Sequence, residues 1–323
     1  MTTPAIHLAA DPAASFATRR EEPVFGRLTI IGIGLIGSSI AHAAKAFNLA
    51  GEIVLADRDE AVRRRARELG LGHRVAETAA EAAREADHII LCVPVGACGA
   101  VAAEIAGVLK QGAILSDVGS VKNAVVEAVT PHLPQGVHFV PAHPVAGTEN
   151  SGPDAGFSSL FLDRWCILTP PDGADESAVT RTRQLWEGMG AIVEVMTPQH
   201  HDLVLGITSH LPHLIAYTIV GTAEDLAAVT QSEVIKFSAG GFRDFTRIAA
   251  SDPTMWRDVF LHNKDAVLEM LGRFSEDLSL LTRAIRYGDG ETLHRHFTRT
   301  RAIRRGIVAL GQEKPETEKL RKS

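Results

Sequence analysis

Among 323 residues there are only three cysteines, two tyrosines and three tryptophans. Cys92, Cys98 and Cys166 show no CxxC spacing and cannot build a disulfide framework, so they read as small buried hydrophobes of a reducing compartment, and the cytoplasm is the expected location. Long hydrophobic runs are also missing. The most apolar stretches are interrupted by His, Thr or Gly within about ten residues, short of the roughly 18 that a spanning helix needs, which argues against a membrane role. Basic charge is not in excess either. Lys plus Arg number 33 against 39 Asp plus Glu, a formal charge of −6 with no basic cluster, so nucleic acid is not an expected partner. No repeat or low-complexity tract is visible. Residues 1–26 read as a flexible arm, without a secretory signal, and Asp11, Glu21 and Glu22 argue against a transit peptide. The alternating charges of 311–323 read as a tail.

What is present is a rhythm of short apolar runs, turns and helical stretches. Leu28–Ile31, Ile53–Ala56, His88–Val93, Ala113–Ser116 and His138–Val140 read as strands, apolar throughout as in a parallel sheet buried on both faces. Helices are expected at Leu35–Phe47 and around Arg63-Arg64-Arg65. The rhythm continues with Trp165–Leu168 as a strand, Asp175–Met189 as a helix and Ile192–Val195 as a further strand. Beyond Thr197 only helical periodicity remains, over Leu203–Ala223, Asp225–Phe237, Pro253–Arg273 and Glu291–Leu310, with Pro198 and Pro253 placed as first-turn prolines. The expected architecture is α/β: a doubly wound, mostly parallel sheet over 27–197, then an all-helical domain over 198–310.

Gly32-Ile33-Gly34-Leu35-Ile36-Gly37 follows the first strand directly and opens a helix, the context in which a GxGxxG run holds a dinucleotide pyrophosphate. The first glycine makes the turn, the second admits the phosphates, and the third lets helix and strand approach. The free N–H groups of the helix start face the negative charge. Asp57 ends the second strand, near the spacing of the acid that binds a ribose 2′-hydroxyl, which favours NAD over NADP. Arg58 beside it could stack on adenine or recruit a 2′-phosphate, and Asp57 alternatively caps the next helix, a role Asp59 could also fill. Val93 and Pro94 would line the same crevice at the carboxyl edge of the sheet.

Three further segments carry polar chemistry: Asp117-Val118-Gly119-Ser120-Val121-Lys122, His143-Pro144-Val145-Ala146-Gly147-Thr148-Glu149, and Gly240–Arg247 followed by Asp252–Arg257. With these the sequence resembles the prephenate dehydrogenase family, whose members act on prephenate, arogenate or both. GIGLIG, DVGSVK, HPVAGTE, SHLPH, GGFRDFTRIA and SDPTMWRD occur in order between about Leu28 and Ala309. The resemblance implies a Rossmann domain, a helical domain that binds substrate and dimerises, and oxidative decarboxylation to 4-hydroxyphenylpyruvate (or tyrosine) with NAD or NADP.

It also implies roles. Removing hydride from a carbinol carbon requires an acceptor for the hydroxyl proton, and a neutral histidine suits that task. His143 matches the family's catalytic histidine and Ser120 its serine. Arg247 matches the arginine that holds the ring carboxylate, as a planar guanidinium can. Arg243 could add positive field or simply pair with Asp244. Trp256 would wall the pocket or pack in the core. His213 and Ser209 fall near the substrate side chain, with Glu149 and Gly240 at further pocket positions. No metal is expected: His210 and His213 share a helix face, but no third ligand lies at metal spacing. His200-His201-Asp202 reads as helix capping and polar surface, with the acid reaching a neighbouring subunit's site in the family.

Two other classes compete. A dehydrogenase of the 3-hydroxyacid or imine-reducing type would use a Lys and Asn of the helical half, where Asn263-Lys264 is the only adjacent pair. A non-catalytic NAD-binding sensor would have lost His143, Ser120 or Arg247, all of which are present.

Overall fold

The computed structural model describes residues 18–148, 150–227 and 240–309. Most of the arm 1–26, the greater part of the expected helix Asp225–Phe237, Glu149 and the tail 311–323 lie outside the described residues. Six strands form one parallel sheet: β1 (Phe25–Ile31), β2 (Ala50–Ala56), β3 (Arg74–Val75), β4 (His88–Leu91), β5 (Ile114–Asp117) and β6 (His138–Phe139). Their order is β3-β2-β1-β4-β5-β6, with every neighbouring pair parallel. The order reverses between β1 and β4, where an open α/β sheet presents its ligand crevice.

Alternation along these strands feeds two cores. Leu28, Ile30, Ile53, Leu55 and Ile90 pack on one face, and Ile31, Val54, Ala56, Ile89, Leu91 and Leu115 on the other. Both faces are therefore apolar, and that is why the strands read as unbroken apolar runs. The faces are covered by helices α1 (Leu35–Ala46), α2 (Glu60–Glu68), α3 (Ala79–Ala83), α4 (Cys98–Ile105), α5 (Asn123–Val129) and α6 (Glu176–Gly188). Side-chain oxygens start several of them: Asp59 accepts from the Ala61 N–H and Asp175 from the Ala178 N–H.

Three sequence expectations change here. The last residues of the arm are structure, not slack: Phe25 and Gly26 belong to β1, Phe25 is buried, and the Arg20 and Val24 N–H groups donate to the carbonyls of Phe47 and Leu49. The strands after Phe161 do not extend the parallel sheet. A separate three-stranded sheet joins β7 (Ala142–Pro144), β8 (Trp165–Leu168) and β9 (Ile192–Val195), with β7 antiparallel to β8 and β8 parallel to β9. Pro141 explains the departure, since it follows β6 without an N–H to donate and the chain leaves the sheet there. Of the cysteines, Cys98 and Cys166 are buried as expected, but Cys92 is only half-buried.

Thr197 and Asp252 cap the helices that Pro198 and Pro253 begin, accepting from the N–H groups of His200 and Met255. The first helical run is α7 (Pro198–Leu205), a π-helical turn Gly206–His210 and α8 (Leu211–Ala227). With a mean hydropathy of 1.5 over its most apolar window, this run is long and apolar enough to cross a membrane, which reading for uninterrupted runs missed. Its polar side chains His201, Asp202 and His210 are buried and hydrogen-bonded to protein groups instead. The expected helix Pro253–Arg273 is broken: Pro253–His262 ends at Asn263, and Lys264–Tyr287 follows. A last helix covers Gly290–Ala309. The change from strands to helices comes near Thr197, but the first compact unit continues to Val267 and a second begins at Leu268.

Candidate active site

The glycine turn sits at the switch point, between the ends of β1 and β4. Gly32 adopts φ +99°, and a Cβ there would lie 2.4 Å from the Cys92 carbonyl oxygen. A Cβ on Gly37 would lie 2.0 Å from the Gly32 carbonyl oxygen, so the helix can approach the turn only without a side chain. Gly34 is different. Among the described residues nothing lies within 4 Å of a Cβ built there, and no side chain caps the first turn of α1. An open face with unclaimed N–H groups at a helix N-terminus is a seat for phosphate. Asp57 is drawn up to the same turn, its Oδ2 accepting the Ile33 N–H at 2.8 Å, while Arg58 is exposed beside it. Val93 packs against Gly32, and Pro94 is exposed at the rim. These residues fit a dinucleotide.

Across the crevice the loop from β5 to α5 is pinned at three places. The Lys122 ammonium, fully buried, donates to Asp117 and to the Ala142 carbonyl at 2.7 Å. Val121 packs with Trp256 and Val259. The backbone N–H groups of Lys122 and Asn123 donate to the two carboxylate oxygens of Asp202, at 2.8 and 2.9 Å. Ser120, half-buried, is carried by this loop. Because Lys122 holds the residue before His143, one side chain ties the Ser120 loop to β7.

His143 is 8% exposed, and its Nδ1 lies 2.8 Å from Nε2 of His201. The other His201 ring nitrogen, Nδ1, lies 2.9 Å from Asp202 Oδ1. Burial, with His201, Lys122 and His210 nearby, holds His143 well below the usual imidazole range, so its ring is neutral at ordinary pH. A neutral ring carries the lone pair that a carbinol proton needs.

The helical segments supply the rest. His213 stacks on Trp256, with centroids 3.6 Å apart and 23° between planes. Its Nδ1 donates to the Ser209 carbonyl at 2.8 Å, and burial and the Arg247 charge lower its pKa. His210, in the π-helical turn, is pushed down to about 4 by burial and meets Trp256 edge-on. The buried Trp256 Nε1–H and His210 Nε2 have no hydrogen-bond partner among the described residues. Arg247 is exposed at the start of a short turn, within electrostatic reach of His213. Arg243 is 78% exposed at its side chain and paired with Asp244 at 3.3 Å, the solvated alternative, and Gly240 is exposed one turn before Asp244.

The structure corrects one sequence expectation about this region. His201 and Asp202 are not polar surface: they are 0% and 3% exposed, and Asp202 is spent inside its own chain on the start of α5. His210, Asn263 and Lys122 also belong to this network without having been singled out as site residues. Asn263 is buried and donates to the Asp202 carbonyl and to His210 Nδ1, a joint between segments, while Lys264 is exposed. One available signal was unused: polar residues recurring on the buried side of an otherwise apolar helix demand partners.

A parallel sheet in Rossmann order, a glycine turn with its acid at the switch point, and a neutral buried histidine on β7 define a nucleotide-dependent dehydrogenase. The comparisons narrow the class. The model described as "Prephenate dehydrogenase, nucleotide-binding domain" matches residues 40–195, and "Prephenate dehydrogenase, dimerization domain" matches 197–299. The cyclohexadienyl dehydrogenase of Zymomonas mobilis is 45% identical over 87% of this chain and 96% of its own. A crystal structure of prephenate dehydrogenase from Aquifex aeolicus, in complex with hydroxyphenyl propionate and NAD+, superposes with a TM-score of 0.81 at 32% identity, covering 87% of this chain and 98% of that one. That of Synechocystis arogenate dehydrogenase gives 0.75 at 25% identity, covering 87% and 99%. The chain belongs to the prephenate dehydrogenase family.

Proposed function

We propose that this protein oxidises prephenate with NAD, releasing carbon dioxide and 4-hydroxyphenylpyruvate, as a cytoplasmic homodimer in tyrosine biosynthesis. The observation that carries the reading is His143: a neutral, buried imidazole with one nitrogen engaged and the other without a partner among the described residues. NAD, when bound, supplies the hydride acceptor. The open face at Gly34 and the first turn of α1 receive its pyrophosphate, and Asp57 takes the ribose hydroxyls, disfavouring a 2′-phosphate.

The chain's own residues manage the substrate. His143 accepts the carbinol proton as hydride leaves the same carbon, and Ser120 holds the hydroxyl in register. Loss of the ring carboxylate as carbon dioxide leaves its electron pair in the ring, which becomes aromatic, and the phenolic oxygen recovers a proton from His143. Arg247, with no acidic partner among the described residues, binds a substrate carboxylate, and Trp256 with His213 walls the side-chain end. A second reading, oxidation of arogenate to tyrosine, has an observation of its own. Because the His213 Nδ1 proton is committed to the Ser209 carbonyl, neutral His213 presents an Nε2 lone pair, which suits an ammonium group; protonated, it donates to a keto oxygen.

Rates of NADH or NADPH appearance, measured by absorbance with prephenate and arogenate and each cofactor, test the reading. Prephenate with NAD is expected to turn over, and silence in all four combinations would overturn the proposal. The homodimer reading draws on the matched dimerization-domain family and on exposed apolar side chains such as Leu268, Ile285, Phe297 and Ile303, which need cover. A monomer by light scattering at micromolar concentration would refute it.

A further inference from the structure

We propose that His201 is a positioning residue for His143: the chain Asp202–His201–His143 sets the tautomer that leaves His143 Nε2 as the proton acceptor. This rests on the reading of His143 as the base. Both Asp202 oxygens already accept backbone N–H groups, from Lys122 and Asn123, so the carboxylate offers only acceptors. Facing Asp202 Oδ1 at 2.9 Å, His201 Nδ1 must therefore carry a proton. His201 is fully buried, and burial keeps it neutral, so its Nε2 holds the lone pair. At 2.8 Å from that lone pair, His143 Nδ1 must in turn be the donor. The one remaining position, His143 Nε2, is then an acceptor.

The device has work to do. A free histidine prefers the opposite tautomer, with its proton on Nε2, where the reaction needs a lone pair. When the carbinol proton arrives at Nε2, His143 becomes an imidazolium whose Nδ1–H remains bonded to His201. The Asp202 carboxylate then lies one ring away from that charge. The other charged and titratable groups around His143 are Lys122, which holds the Ala142 carbonyl, His210 from the π-helical turn, and Asp117 paired with Lys122. Neither Lys122 nor His210 offers His143 a carboxylate, so the acceptor path to Asp202 runs through His201. In serine hydrolases, where a carboxylate fixes a histidine in the same manner, spoiling the tautomer lowers kcat by about 10⁴-fold.

Nitrogen-15 NMR of histidine-labelled protein near neutral pH reads the tautomers directly, with His143 and His201 assigned by single-site variants. Both are expected as neutral Nδ1–H rings, and a His143 ring bearing its proton on Nε2, or exchanging between forms, overturns the proposal. This readout needs no substrate, so it separates failure of the relay from failure of the functional reading. Kinetics supply the second arm. His201→Phe, if folded by circular dichroism, is expected to lower kcat by roughly 10–10³-fold with KM within about threefold. His201→Gln, whose amide oxygen can accept from His143 Nδ1, should recover much of the loss. A folded His201→Phe enzyme with wild-type kcat would likewise reject the idea, and if that variant does not fold, the wild-type spectrum decides alone.

Discussion

The two walls of the crevice are built differently. The proposed cofactor wall is local: six consecutive residues, Gly32 to Gly37, make the turn and start the helix, and one acid at the end of the neighbouring strand completes it. The proposed catalytic wall is collective. His143 stands on β7, its partner His201 on α7, the Ser120 loop leaves β5, and Trp256 comes from the helix Pro253–His262, with the hydrogen bonds His143–His201, Lys122–Asp202 and Asn263–Asp202 joining segments 58 to 80 residues apart in sequence. A local device is specified by backbone conformation, which neighbouring residues decide. A collective one needs every member in place, and so depends on stability in a way the first does not.

The largest expected effect tests the chemical centre of the collective wall. His143→Asn should lower kcat by roughly 10²–10⁴-fold while leaving KM within a few fold, as loss of a general base does; near-normal turnover would remove His143 from its role. The glycines then test locality. Gly37→Ala forces a Cβ to within 2.0 Å of the Gly32 carbonyl, and overpacking of that kind costs about 1–3 kcal/mol, visible as a lowered Tm. Gly34→Ala meets no atom of the described residues and should fold with a normal Tm yet bind NAD at least tenfold more weakly, the methyl standing where the proposed site seats the phosphates. Equal losses of stability in the two variants would contradict the division between them.

Smaller effects bear on the rim. Arg247→Ala should raise KM for prephenate by about 10–100-fold, in the range of a lost charge-assisted pair, whereas Arg243→Ala, paired with Asp244 in solvent, should change it by less than about threefold. An inverted order would exchange their roles. Acid separates the walls last. Burial lowers His143 and His201 below the imidazole range and sets His210 at about 4 and, within the sheet, His88 at about 3. With folded pKa values below the unfolded value near 6.5, the unfolded chain binds more protons in acid. Stability is therefore complete above pH 6.5 and is lost as pH falls from there toward 3, by up to about 1.4 kcal/mol per pH unit for each histidine. A Tm that stays flat from pH 7 to 4 would mean these rings are not buried neutral.

The contrast also explains what could be read in advance. The strands were legible because both faces of the sheet are buried and their residues are accordingly apolar. The glycine turn was legible because steric need at a turn leaves few residue choices. The departure of β7 from the sheet was not, although Pro141 marks it, because a proline says that pairing stops and not where the chain goes next. Nor was the burial of His201 and Asp202. Beside Pro198, at the start of a helix, their types suit capping equally well, and only the approach of β7 and α5 turns them inward.

By itself, then, the sequence determined the order of elements, the glycine turn with its acid, and the family to which the motifs belong, since each depends on residues close together or on fixed local sterics. The tertiary structure alone decided that Asp202 and His201 line up behind His143 and that Trp256 stacks on His213, while Arg243 faces solvent. Such contacts join segments far apart in the chain. Which donor meets which acceptor is settled only when those segments are packed together and water is excluded.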